Sequence, residues 1–272
     1  MAERSKAPVV LTPHYHGGGH TRIRNVLHPV YRPAGRRLMA ASRLIVVDSE
    51  AEADLIRRDF PRKALGEKIT VVPLAVLDPV RGHQPYPGED NVVLTVARQE
   101  PYKRSDLLVR AVALLRDRGV PARLVVVGQG SAVATCQELA AQLGAEDVVR
   151  FTGAVDDETL GRWWASASMY ATASEHEAFG ICLAEALLAG LPVAASGIGA
   201  HREVAGRAGS GAMVRLCDVD VPDAEAASQY ADAIGELLAS TQSRKDRAAQ
   251  CALPTAAETF TQLLDTLSAA RS

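Results

Sequence analysis

The sequence predicts an α/β fold in which parallel β-strands alternate with helices. The chain has 272 residues, which is room for one large α/β domain or two small ones. Short runs of β-branched and aliphatic residues alternate with longer segments of helical periodicity, the pattern of a parallel sheet covered by helices. Hydrophobic residues make up 47% and charged residues 23% of the chain, which excludes an intrinsically disordered protein.

The first part of the chain has too few predicted strands for a complete domain of this kind. Strands are predicted over Val9–Thr12, Leu44–Val47 and Ile69–Val72. A helix is expected to start at Ser49, and Glu52 three residues later predicts a capping box. We therefore predict a partial N-terminal α/β domain over residues 1–77.

From residue 91 the alternation becomes regular. The segment 78–90 contains three prolines and two glycines without periodicity, so it is predicted to be a linker. A complete doubly wound, Rossmann-like domain is predicted over 91–240, followed by a helical tail over 241–272. Its predicted strands are Val92–Ala97, Leu124–Val127, Val148–Thr152, Met169–Ala171 and Val193–Ser196, and its predicted helices are Asp106–Arg118, Ala132–Leu143, Asp157–Ala167 and Gly180–Ala189.

Composition excludes several classes of protein. Aromatic residues are only 4% and the net charge is −2, so a nucleic-acid partner is not expected. No stretch approaches the ~18 consecutive apolar residues of a membrane span, and the first residues lack a signal-peptide pattern. The cysteines form no C-x-x-C pair, which favours reduced thiols and a cytoplasmic location; they are Cys136, Cys182, Cys217 and Cys251.

Cations and glycine turns follow the predicted strands of the regular domain. Because ligands of open α/β sheets bind outside the carboxyl ends of the strands, these residues are expected to converge. Two cations, two glycine turns and a helix N-terminus at one edge describe an anion site, most naturally for a diphosphate. The residues are Arg98, Lys103, Gly128, Gly130, Gly153, Val155 and Ser174–Gly180.

Glu185 is the only acidic or basic residue in the apolar segment Phe179–Leu191. Such a helix is predicted to be buried nearly all round, and a carboxylate inside it needs partners. Two interpretations stay open. The carboxylate pairs with a neighbouring arginine or backbone amide, or it accepts hydrogen bonds from a ribose diol.

Gly128-x-Gly130 resembles the start of a dinucleotide fingerprint, but only weakly. Val133 occupies the third glycine position, and the turn follows the second strand rather than the first. A nicotinamide-dependent oxidoreductase is therefore disfavoured.

Together these segments resemble the retaining glycosyltransferases of family four, which are GT-B enzymes that use nucleotide sugars. Glu177 and Glu185 reproduce the family's E-x7-E motif, and Glu203 matches a following position. The resemblance covers about 92–204, and residues 11–16 and 43–50 are similar to the second half of the family's N-terminal domain. It rests on Arg98-x4-Lys103, Phe151–Val155, Ser174–Ile181, Glu185-Ala186 and Gly190–Val193.

The resemblance implies a role for each matching residue. Arg98 and Lys103 would hold the diphosphate, and Glu177 with His14 would line the sugar site. The backbone of Phe179, Gly180 and Ile181 would bind the distal phosphate. Glu185 would hold the ribose, and backbone near Gly128, Gly130 and Val155 would flank the base. The implied reaction retains the anomeric configuration, uses a UDP- or GDP-linked sugar in glycan biosynthesis, and requires neither metal nor cofactor.

Two possible metal motifs are weaker interpretations. His14-x-His16 has no carboxylate or cysteine near it in sequence. Asp218-Val219-Asp220 resembles the D-x-D of a different transferase fold, but it follows the whole regular domain and abuts Pro222, so a surface turn is expected.

The segment from Arg4 to Val47 contains eight lysines and arginines, four histidines and no acidic residue. A solvated basic face explains this pattern. The alternative is contact with a phosphate-bearing or lipid-linked acceptor, or with anionic headgroups at a membrane surface, where each cation contributes up to ~1 kcal/mol.

The chain departs from the family at its beginning. The family's opening strand and glycine-rich loop have no counterpart before His14, so a truncated N-terminal domain is expected. A shortened sheet would leave an open edge and favour self-association. We expect weak turnover by this chain alone. A competing hypothesis is a non-catalytic nucleotide-sugar-binding module that completes or regulates a partner subunit.

Overall fold

A computed structural model of the chain describes residues 9–15, 22–209 and 211–270, and side chains of the first helix from residue 32 onward. The chain divides into two compact units. The first comprises residues up to Val76, His176–Phe179 and the segment from Pro254 onward; the second comprises Leu77–Glu175 and Gly180–Leu253.

The second unit contains a six-stranded parallel sheet with the order β6-β5-β4-β7-β8-β9. This confirms the doubly wound sheet predicted from the alternating pattern. The strands are β4 (Val92–Val96), β5 (Arg123–Val127), β6 (Val149–Gly153), β7 (Met169–Thr172), β8 (Val193–Ser196) and β9 (Val214–Cys217).

Helices pack against this sheet through buried apolar residues. Tyr230 of α9 is fully buried, and its hydroxyl donates to the carbonyl oxygen of Thr172 at the end of β7, 2.8 Å away. The helices of this unit are α4 (Ser105–Asp117), α5 (Val133–Gln142), α6 (Asp157–Ser166), α7 (Ile181–Leu188), α8 (Gly199–Arg207), α9 (Asp223–Leu238) and α10 (Arg244–Ala249).

The end of α7 is fixed by a glycine and a half-buried arginine. Gly190 has a φ of 68°, and the amide of Leu191 reaches back to Ala186 O at 2.9 Å, as in a Schellman motif. The guanidinium of Arg244 donates to Ala189 O at 2.7 Å and also to carbonyl groups at the end of α6. These bonds compensate a burial that lowers the pKa of Arg244.

The predicted linker 78–90 forms neither a helix nor a strand, and it packs on α6. The ring of Tyr86 lies 4.7 Å from that of Trp163 between centroids, and the guanidinium of Arg162 lies 3.9 Å over the Tyr86 ring. These contacts, worth about 0.5–1.5 kcal/mol for an aromatic pair, hold the segment against α6 within the second unit.

The first unit contains a three-stranded parallel sheet with the order β1-β2-β3. The last helix, α11, packs on this sheet through Leu263 and Leu267, which contact Leu44, Val46 and Val72. The elements of this unit are β1 (Val10–Leu11), α1 (Arg22–Ala41), β2 (Leu44–Val47), α2 (Glu50–Asp59), α3 (Lys63–Gly66), β3 (Ile69–Val71) and α11 (Ala256–Ala269).

The cap of α2 differs from the predicted capping box. Ser49 Oγ accepts the Glu52 amide at 3.0 Å, as predicted. The Glu52 carboxylate, however, accepts from the amide of Asp48 at 2.9 Å and from the amide of Tyr15, which lies far away in the sequence. Glu52 therefore ties the loop after β1 to the loop after β2.

Candidate functional site

The site of the second unit lies where the strand order reverses. β4 is hydrogen-bonded to β5 on one side and to β7 on the other, so the loops after β4, β5 and β7 leave the sheet side by side. Such a topological switch point is where doubly wound sheets bind their ligands. The residues that follow these strands in the sequence are the ones predicted to hold an anion.

Tyr102 contacts both predicted cations. Arg98 follows β4 and is exposed, and its guanidinium lies 3.5 Å from the Tyr102 hydroxyl. Lys103 ends a short 3-10 helix, Pro101–Lys103, and its Nζ lies 5.1 Å over the Tyr102 ring. Tyr102 itself is buried. The structure thus brings Arg98 and Lys103 to the same aromatic side chain, which sequence spacing alone did not indicate.

Gln99 joins the loops after β4 and β5. This side chain is fully buried, and its amide donates to Ala97 O and Val127 O, each at 3.1 Å. Its carbonyl accepts from Ser105 Oγ at the start of α4, at 2.7 Å. A buried amide with all three contacts satisfied fixes both loops, so the backbone that carries the cations is rigid.

Arg104 holds the turn that carries Lys103. Its backbone is left-handed, with a φ of 49°, and its guanidinium contacts three carboxylates: Asp106 at 3.2 Å, Glu175 at 3.3 Å and Asp223 at 2.6 Å. Burial alone would lower the pKa of Arg104, but Asp106 and Asp223 outweigh it and hold that pKa above its usual value. Arg104 therefore links the turn to the loop after β7 and to the start of α9.

Replacing Arg104 by glutamine is expected to lower the free energy of unfolding by about 1–3 kcal/mol, because three carboxylates lose a charged donor. Urea denaturation measures this change. The matched control is Arg118→Gln, since Arg118 pairs through one exposed contact, with Asp232 at 2.6 Å, and is expected to cost at most about 1 kcal/mol. Equal losses in the two variants would contradict a structural role for the Arg104 cluster.

Gly128 and Gly130 are required by the neighbouring loop. A Cβ at Gly128 would lie 1.9 Å from Ala97 O, and a Cβ at Gly130 would lie 2.3 Å from Gln99 O. The glycines thus allow the loops after β4 and β5 to approach closely, which is a structural reason for this pair independent of any nucleotide. Their predicted contact with the base stays a prediction.

The turn after β6 lies beside this loop. The amide of Gly128 donates to Gly153 O at 2.8 Å, and Val155 two residues further on is half-buried. The following helix, α6, is capped by Asp156, whose carboxylate accepts the Thr159 amide at 2.8 Å. This places Val155 in a fixed turn next to the Gly128 loop.

The N-terminus of α7 follows the loop after β7. Gly180 has a φ of 97°, and Ile181 directly after it is 47% exposed. Because the first amides of a helix have no partners within the helix, this end suits an anion. A Cβ at Gly180 would lie 3.0 Å from Cδ2 of the buried His201, so close packing requires glycine here.

His201 is a site residue that the sequence analysis missed. Ser196 Oγ donates to Ser174 O at 2.6 Å, so in its 2.9 Å contact with His201 Nδ1 the imidazole is the donor. These bonds connect the ends of β7 and β8 to the ring beneath Gly180.

Glu185 is half-buried, one turn into α7. The prediction that this helix is buried nearly all round is wrong, because Ile181, Cys182, Glu185 and Leu188 form a partly accessible face. Burial raises the pKa of Glu185, and a hydrogen bond with Cys182 opposes that rise. The Cys182 contact matches neither of the two interpretations of this carboxylate, which were pairing with an arginine or backbone amide and binding of a ribose diol.

Three predicted site residues, Glu177, Phe179 and His14, belong to the first unit. Glu177 and the buried Phe179 lie in the segment 176–179, where Ala178 O accepts from Ser49 Oγ at 2.6 Å. His14 follows β1, and its Nδ1 lies 2.7 Å from Asp48 Oδ2. His16, the second histidine of the possible metal pair, lies outside the described residues. Asp218 and Asp220 lie in an exposed bend, as predicted.

The fold and its strand-end site place this chain among the α/β proteins of GT-B type. The family model of the glycosyl transferases group 1 matches residues 79–250. The chain belongs to that family.

Curated relatives include enzymes named D-inositol 3-phosphate glycosyltransferase. The protein from Streptomyces avermitilis is 34% identical over 190 residues, covering 63% of this chain and 41% of the relative. The protein from Xylanimonas cellulosilytica is 31% identical over 265 residues, covering 88% of this chain and 60% of the relative. The chain thus spans about half the length of the curated relatives it matches.

Solved structures show the same fold at low sequence identity. Alr3699/HepE from Anabaena, in complex with UDP and glucose, superposes with a TM-score of 0.75 at 20% identity, over 97% of this chain and 72% of that one. The pneumococcal O-GlcNAc transferase GtfA, in complex with UDP and GlcNAc, superposes with a TM-score of 0.72 at 17% identity, over 97% and 53%. Across the described ranges, none of the helices combines the length and apolar character needed to cross a bilayer.

Proposed function

We propose that this chain transfers a sugar from a nucleotide-diphosphate donor to an acceptor with retention of the anomeric configuration. The observation that carries the proposal is the pairing of Arg98 and Lys103 on Tyr102 after β4, while the neighbouring strand β7 leads to the α7 N-terminus. Two cations and a helix N-terminus at one switch point are complementary to a diphosphate.

Each residue would act on a defined part of the donor. Arg98 and Lys103 would neutralise charge on the diphosphate as the glycosidic bond breaks, while the backbone of Gly180 and Ile181 would bind the distal phosphate. Glu185 would accept hydrogen bonds from the ribose hydroxyls. The turns at Gly128 and Val155 would flank the base. Glu177 and His14 would contact the sugar.

The proposed reaction breaks the bond between the anomeric carbon and the distal phosphate oxygen. The acceptor oxygen attacks from the same face and forms the new glycosidic bond, which retains the configuration. The acceptor proton passes to the leaving phosphate oxygen, so protons balance without a separate base. We propose that the fixed positive charges described above replace a metal in this step.

The donor is proposed to be UDP- or GDP-linked. Alr3699/HepE was solved with UDP and with UDP-glucose, which favours UDP. For the acceptor we propose a phosphate-bearing or lipid-linked molecule. The exposed Arg36 and Arg37 of α1 support this, together with relatives named for an inositol phosphate. Peripheral contact with an anionic membrane would use the same helix.

Thermal unfolding with UDP, GDP and ADP tests the donor site. A nucleotide at 100 times its Kd is expected to add about 2.7 kcal/mol to the free energy of unfolding and to raise the Tm by about 5–10 °C. Glu185→Gln is expected to lose this shift, and Glu138→Gln, at an exposed position of α5, is the matched control. If no nucleotide shifts the wild-type Tm, the proposed donor site is wrong.

Without ligand, Glu185→Gln is expected to be more stable than the wild type at pH 7. Burial raises the pKa of this carboxyl in the folded state. The stability associated with its protonated form is therefore fully present below the pKa of the unfolded state, and it is lost as the pH rises through the pKa of the folded state. The difference between variant and wild type should therefore shrink as the pH falls towards the ordinary glutamate pKa. If Glu185→Gln is more stable than the wild type without ligand but loses the nucleotide-induced Tm shift, Glu185 has a binding role and not a structural one.

A further inference from the structure

His14 occupies a strained position at the end of β1. Its φ is 46°, which is uncommon for a residue other than glycine. Its side chain is 59% exposed, so no core packing accounts for the strain. Strain of this kind persists only where surrounding contacts fix the residue, and it concentrates at functional sites.

Asp48 fixes the His14 ring. Asp48 follows β2, its side chain is only 5% exposed, and its Oδ2 lies 2.7 Å from His14 Nδ1. A carboxylate oxygen can only accept a hydrogen bond, so Nδ1 carries the proton. In the neutral imidazole, Nε2 then bears the lone pair.

Glu52 fixes both partners through the backbone. Its side chain is buried, and its two oxygens accept the amides of Asp48 and Tyr15, the residue next to His14. Burial raises the pKa of Glu52. Tyr15 is anchored in turn, since its hydroxyl donates to Asp59 at 2.6 Å and its ring packs edge-on against Phe60. The backbone of both loops, the one that carries His14 and the one that carries Asp48, is therefore fixed by Glu52.

We propose that Asp48 is a positioning residue that keeps His14 in the Nδ1–H tautomer, so that Nε2 accepts a hydrogen bond from a hydroxyl of the donor sugar. This inference rests on the proposed function and goes further, because it predicts the direction of that hydrogen bond. A sugar hydroxyl at this position donates its proton to the protein. Glu52 supports the pair by accepting the amides of Asp48 and Tyr15.

Nitrogen NMR of the imidazole rings in the full-length chain tests the tautomer directly. The chain has seven histidines, so His14→Gln identifies the His14 resonances by their loss. In its uncharged form, wild-type His14 is expected to show a protonated Nδ1 and an unprotonated Nε2. Asp48→Asn, which offers both a donor and an acceptor, is expected to give a mixture of tautomers. A mixture in the wild type, or an unchanged tautomer in Asp48→Asn, overturns the proposal.

Binding of UDP and of UDP-sugars tests the proposed donor and the role of Asp48 separately. With the better of UDP-glucose and UDP-N-acetylglucosamine, Asp48→Asn is expected to weaken binding about tenfold, while the Kd for UDP stays the same. If neither UDP nor a UDP-sugar binds the wild type, the proposed donor fails, whatever the tautomer. If UDP-sugar binds equally to wild type and variant, only the role of Asp48 fails.

Discussion

Replacing Lys103 by alanine is expected to lower the rate of sugar transfer about 10²–10³-fold, the usual cost of removing one group that stabilises developing charge. The reason lies in where Lys103 is held. Its ammonium lies over the Tyr102 ring, and its turn is fixed by Arg104. A cation held in this way needs no reorganisation as the phosphate accumulates charge.

Initial rates of sugar release from the nucleotide sugar, with and without acceptor, measure this effect. Lys245→Ala removes an exposed lysine of α10 and is the matched control, expected to leave the rate unchanged. Lys103→Ala should keep most of its affinity for UDP, because Glu185 and the α7 N-terminus are proposed to bind it as well. A rate within about threefold of the wild type would remove Lys103 from the proposed mechanism. UDP binding without transfer in the wild type would favour the non-catalytic module.

The sheet of the second unit was predictable because its strands carry local signals. The continuous aliphatic runs of β4 and β5 identify buried parallel strands without further context. β9 was not predicted, because Arg215 interrupts its short apolar run. The helix α1 was also missed, because Pro29, Pro33 and Gly35 in its sequence resemble helix breakers.

In the candidate site, too, the residues with local sequence signals were predicted, whereas contacts between residues far apart in the sequence were not. Arg98 and Lys103 were found from their spacing after a predicted strand. The contacts of Arg104, which fix the turn that carries Lys103, were not found, because Glu175 and Asp223 lie 71 and 119 residues from Arg104. Asp48 lies 34 residues from His14. Sequence spacing identifies residues that carry charge, whereas the contacts that position them depend on which strand ends the fold brings together.

Replacing Gly128 by alanine is expected to be among the most destabilising single methyl additions in the second unit. The new Cβ would lie 1.9 Å from Ala97 O, and backbone cannot move aside as the end of a flexible side chain can. Overpacking of this kind costs about 1–3 kcal/mol, and the positive φ of 116° adds a conformational cost of about 1–2 kcal/mol. Urea denaturation should show a loss of about 2–5 kcal/mol in the free energy of unfolding.

Gly119→Ala separates the two contributions. Gly119 also has a positive φ, 73°, but nothing lies within 4 Å of the position of its Cβ. This variant should lose only the conformational cost, about 1–2 kcal/mol. Equal losses in the two variants would show that the close approach to Ala97 is not what requires glycine at 128. A larger loss in Gly128→Ala, with a weakened UDP-induced shift in Tm, would mean that contact between these loops shapes the proposed donor site, because Gly128 is proposed to flank the base and Ala97 directly precedes Arg98.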